Sequence, residues 1–81
     1  MIFSEIKVGP FLVDVIDGHV SYDKEDDFYF LDTYSLRVTV EGYEYDSGDF
    51  LDEFVDEFDL ALEDEERKHQ YYLSGLYDYG R

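Results

Sequence analysis

The acidic residues between Asp49 and Asp64 are the groups in this chain best spaced to do chemistry, and that chemistry is electrostatic. In DFLDEFVDEFDLALED, read at 100° per residue, Asp49, Asp52, Glu53, Asp56, Glu57, Asp59, Glu63 and Asp64 fall on one side of a helix. No Lys or Arg lies among them. Opposite charges four residues apart stabilise an exposed helix, and like charges there repel. The stretch therefore carries a repulsion with no relief inside it, and the spacing predicts a partner-binding face for something basic.

Other spacings point to weaker chemistry. Glu66-x-x-His69 would present two ligands on one helix face, but a dinuclear carboxylate site needs two such pairs and further glutamates. The loop beginning at Asp23 is acidic enough for calcium. It departs from the EF-hand pattern, with Phe28 where the sixth position needs Gly and Tyr34 where the twelfth needs Glu. No serine or histidine sits in a nucleophile elbow, and no Gly-rich loop could cradle phosphate. With 22 acids among 81 residues, pairs of neighbouring carboxylates arise by chance and do not argue for acid–base catalysis. The expectation is no enzyme, no cofactor and no metal.

The elements that must position the acidic face follow from patterning. Residues 1–81 read as one domain, with 1–46 mainly β and 49–78 mainly α. Ile2 to Val8 reads as a strand with Ile2, Ile6 and Val8 on one side and Phe3 on the other. Phe11 to Ile16 follows, and Asp17-Gly18 has the composition of a two-residue turn into His19–Tyr22. Asp23–Asp27 forms a charged loop. TYSLRVTV, from Thr33 to Val40, alternates with period two, leaving open whether Phe28 to Val40 is one bent strand or two broken near Asp32. Ser47 or Asp49 would cap the helix. Its apolar arc, Phe50, Leu51, Phe54, Val55, Phe58, Ala61 and Leu62, is wide enough to cover a small core, with Leu60 out of place. Glu65 falls in the middle of that arc and predicts a break near Glu63–Glu66. Beyond it Tyr71, Tyr72, Tyr77 and Tyr79 form an aromatic segment, a second partner-binding surface and a possible homodimer contact.

The fold class expected is α+β: an antiparallel sheet of four to six short strands, one acidic amphipathic helix on a face, and a short or bent C-terminal helix. Its core should hold Phe11, Val13, Val15, Leu36, Val38, Val40, Phe50, Phe54, Phe58 and Leu62. A formal charge of −16 opposes direct contact with nucleic acid and anionic membranes. Absent cysteines remove disulfides and thiolate chemistry. No signal peptide or membrane span is read, so a soluble, cytoplasmic protein is expected.

Ten acids lie between Asp49 and Glu66, over about 27 Å of helix. One DNA strand presents roughly eight phosphates in that length. Seven Phe and nine Tyr in a small, acidic, cysteine-free chain, together with the helix DFLDEFVDEFDLALEDEE, resemble phage-encoded DNA-mimic inhibitors. These are the anti-CRISPR, anti-restriction and uracil-glycosylase-inhibitor proteins. That class has no common fold or motif. The resemblance implies a mode of action: inhibition of a basic nucleic-acid-binding protein, a defence effector or nuclease, in the cytoplasm of a phage's host. A second resemblance is to immunity proteins that neutralise a nuclease toxin at an exosite. A structural or assembly protein working through the Tyr-rich C-terminus is the third alternative.

Overall fold

In the computed structural model, which describes residues 1–79 and side chains through Tyr77, four strands precede two helices. They are β1 (Phe3–Val8), β2 (Phe11–Asp23), β3 (Phe28–Val40), β4 (Tyr43–Tyr45), α1 (Ser47–Lys68) and α2 (Gln70–Tyr79). The strands form one antiparallel sheet in the order β1-β2-β3-β4. The α+β architecture is as expected, although two of the strands are long.

Bulges reconcile these strands with a single buried face. In β1, Glu5 adopts a positive φ of 55° and its N–H bonds the Asp14 carboxylate at 2.9 Å. The register shifts there, between Phe3 and Ile6. One extra residue reverses the alternation, so Phe3 turns to the same side as Ile6 and Val8, and all three are buried. The sequence pattern had separated them.

No turn forms at Asp17-Gly18. β2 runs through it as thirteen continuous residues, bulged at Ile16, and pairs along its length with β3. Gly18 is needed for close approach instead. A Cβ there would meet the Thr33 carbonyl oxygen at 2.9 Å and the side chains of Ile2 and Leu31 at 3.1 Å. The reversal occurs in the charged loop, where the Asp23 carboxylate accepts from the N–H groups of Glu25 and Asp26. β3 is one strand, with Asp32 as its bulge.

The Asp46 carboxylate, rather than Ser47 or Asp49, caps α1, accepting from Asp49 N–H at 2.9 Å. Phe50, Phe58 and Leu62 of α1 and Leu73 of α2 close the core over Phe11, Val13, Val15 and Val38. Leu36, Val40 and Phe54 are only partly buried. Val20 and Leu31 join the core because β2 and β3 continue beyond their bulges. α1 kinks at Phe54 (φ −126°, ψ 23°), whose ring lies 5.1 Å from Phe11. The helices part at His69, three residues beyond the expected break.

Candidate functional site: an acidic helix and the groove beside it

The eight carboxylates proposed as a contact surface are all exposed on α1. Two are neutralised within the last turn, where Arg67 bridges Glu63 and Lys68 bridges Asp64 at 2.9 Å. The helix thus has some relief, placed where cations also complement its C-terminal dipole. Among the described residues, no cation lies against the other six: Asp49, Asp52, Glu53, Asp56, Glu57 and Asp59. These span ten helical steps, about 15 Å, in which a DNA strand presents four or five phosphates.

The break at His69 reflects what Glu66 does. Glu66 is only 6% exposed, and its carboxylate accepts from Leu31 N–H at 2.7 Å. Burial, with Glu63 and Asp59 nearby, raises its pKa against the lowering effect of that bond. One turn further on, Gln70 accepts from Tyr29 N–H and donates to Tyr29 C=O, both at 2.7 Å. These two side chains take the place of a neighbouring strand along this part of the β3 edge. Glu65, expected at the break, is half-buried and meets His69 at 3.3 Å. Glu66 and His69 therefore serve separate contacts. Among the described residues no group of three or more His, Asp or Glu side chains is placed to hold a metal ion.

Of the tyrosines, Tyr72 and Tyr77 line one groove of about 560 Å³ with Met1, Ile2 and Leu76, and Tyr71 is not part of its wall. Tyr71 is 94% exposed. Tyr72 leans on Phe3, with its hydroxyl donating to the Met1 carbonyl at 3.5 Å. Tyr77 packs among Tyr22 and Tyr29. The side chain of Tyr79 lies outside the described residues.

Patterning did not reveal a groove between β3 and α1, of about 640 Å³. Asp23, Asp26, Asp32, Asp59, Glu63 and Glu66 line it, beside Phe28, Phe30 and Tyr34. Three of these acids come from the sheet side, so the negative surface extends beyond the helix. Tyr34 registers this field, its pKa raised by burial and then by Asp59 and Glu66. Tyr45 does likewise, through burial and then Glu53, Asp49 and Asp46. Tyr22 is pushed up to about 12, chiefly by its hydrogen bond to Asp27. All three phenols remain neutral donors at physiological pH. The alternation in TYSLRVTV was a signal for Tyr34, but nothing local in sequence sets Asp32 near Asp59.

No helix among the described residues is long and apolar enough to cross a membrane. The chain matches no family model, and neither a curated protein nor a solved structure proved similar to it.

Proposed function

We propose that this protein is a non-enzymatic inhibitor that occupies the basic nucleic-acid-binding surface of a partner, a defence effector or nuclease, through α1. The observation that carries this reading is the row of six exposed carboxylates from Asp49 to Asp59, against which no cation lies among the described residues. Their spacing is close to that of backbone phosphates. Arg67 and Lys68 could have been distributed along the helix, yet both lie at its end. The acids lining the neighbouring groove widen the negative surface. A cationic cleft built for a phosphate backbone would release counterions on meeting it, favouring association at low and moderate salt. The DNA-mimic, anti-CRISPR type of action is the form of this reading that fits a phage origin.

The test begins with a partner captured at low salt and identified by mass. Its affinity should fall steeply from 50 to 500 mM NaCl, and its cognate nucleic acid should displace the protein. Reversal of Asp52, Asp56 and Asp59 to Lys should weaken inhibition more than tenfold, mainly through slower association. Affinity flat across that range, with a fully active triple variant, would overturn the reading. Steep salt dependence without displacement by nucleic acid would favour an exosite inhibitor of the immunity-protein kind.

A further inference from the structure

Strand β3 has thirteen residues, and β4 covers only Val38, Thr39 and Val40. Further back along the same edge, Gln70 occupies the backbone of Tyr29 and Glu66 the N–H of Leu31. Between these two covers no described residue pairs with the edge.

Ladder geometry decides which groups point out of it. Val40 and Tyr43 flank a two-residue turn, Glu41-Gly42, with φ of 52° and 83°. Residues flanking such a turn exchange both hydrogen bonds. Outward-facing positions therefore alternate back from Val40 through Val38 to Leu36 and Tyr34. The Thr33 carbonyl, close to Gly18 of β2, fits the inward phase. The Asp32 bulge then shifts the outward phase onto Leu31 and Tyr29. The N–H and C=O groups of Tyr34 and Leu36 thus face outward, and no described group bonds them.

We infer that this open edge of β3 receives an extended, Lys/Arg-rich segment of the partner as an added strand. The inference rests on the basic-partner reading above and deepens it by naming what part of the partner docks and where. Strand addition takes its affinity from main-chain bonds and its specificity from alternating side chains. Four backbone groups are available here. The stretch from Asp32 to Leu36 seats about five residues, roughly 17 Å.

Charge selects the occupant. The 640 Å³ groove at one end of the edge is lined by acids, of which Asp26, Asp32 and Asp59 have carboxylates unpaired among the described residues. A second groove of about 380 Å³ at the other end carries Glu44 and Asp46, against Arg37 alone. A second copy of the chain would bring another formal charge of −16 to the same edge, which opposes self-pairing. Tyr34, beside Asp59, offers a ring to an incoming cation.

The probe is the synthetic hexapeptide acetyl-Lys-Val-Arg-Val-Lys-Val-amide, compared with the same peptide N-methylated at every residue. The second keeps all charges and loses the backbone N–H donor of every residue. At 50 mM NaCl the unmodified peptide should slow hydrogen exchange at the Tyr34 and Leu36 amides at least tenfold. The N-methylated peptide should bind at least tenfold more weakly. Equal affinity of the two, with NMR shifts confined to α1, would overturn strand addition and leave the acidic-surface reading standing. Binding of neither peptide would also overturn it, while the salt and displacement test on the captured partner judges the broader reading separately. A dimer whose Tyr34 and Leu36 amides are already protected would overturn it too, by assigning the edge to a second copy.

Discussion

Glu66 shows how one side chain can be read as chemistry and turn out to be construction. Its carboxylate terminates the Leu31 N–H in a buried position, where the charged form is disfavoured. Its folded pKa stands above the ordinary 4.5, so the native state binds the proton more tightly than the unfolded chain. Stability from this group is therefore lost as pH rises from the ordinary glutamate range through the raised value. Glu66→Gln retains an acceptor without the charge. It should match or exceed wild type in denaturant unfolding at pH 7, with any gain shrinking toward pH 4. Glu66→Ala should lose about 1–3 kcal/mol by orphaning the Leu31 N–H. A wild type clearly more stable than the Gln variant at pH 7 would show that the charged bond to Leu31 outweighs the cost of burial.

At the scale of elements, α1 has conflicting demands on its two faces. Phe50, Phe58 and Leu62 hold it to the sheet, while the outer face repels itself. Like-charge pairs each cost about 0.2–0.5 kcal/mol. Reversing Asp52 and Asp56 to Lys converts several of these into attractions, with Asp49, Glu53 and Asp59 as neighbours. The double variant should gain on the order of 0.5–1 kcal/mol, a rise of a few degrees in Tm at low salt, while binding its partner more weakly. A loss of both stability and binding would mean that these carboxylates hold structural hydrogen bonds. The acidic face would then need no partner to account for it.

Across the whole molecule, a net charge of −16 is confined to a body measuring 37 × 21 × 19 Å. Many like charges consequently lie within reach of one another at low ionic strength. The screening length is about 30 Å at 0.01 M salt and about 10 Å at 0.1 M. Thermal unfolding followed by circular dichroism should thus shift upward between 10 and 200 mM NaCl, the reverse of the trend expected for partner affinity. A Tm that falls with salt would mean that attractive pairs such as Lys68–Asp64 outweigh the repulsion.

Local periodicity determined a good deal unaided: the class of fold, the alternating strand ending at Val40, and the division of α1 into an aromatic side and an acidic one. Side chains on one helix or strand have their relative directions set by the backbone repeat, so residues a few positions apart suffice to read them. Tertiary structure alone decided what depends on chain segments meeting. The bulge at Glu5 that returns Phe3 to the core is one such outcome, and so is Gly18 serving close packing instead of a turn. The capture of the Leu31 N–H by Glu66, thirty-five residues away, carried α1 past the expected break. The groove and the open edge of β3 have the same origin. Asp32 and Asp59 line a common wall only because α1 packs beside β3, and no spacing along the chain records that approach.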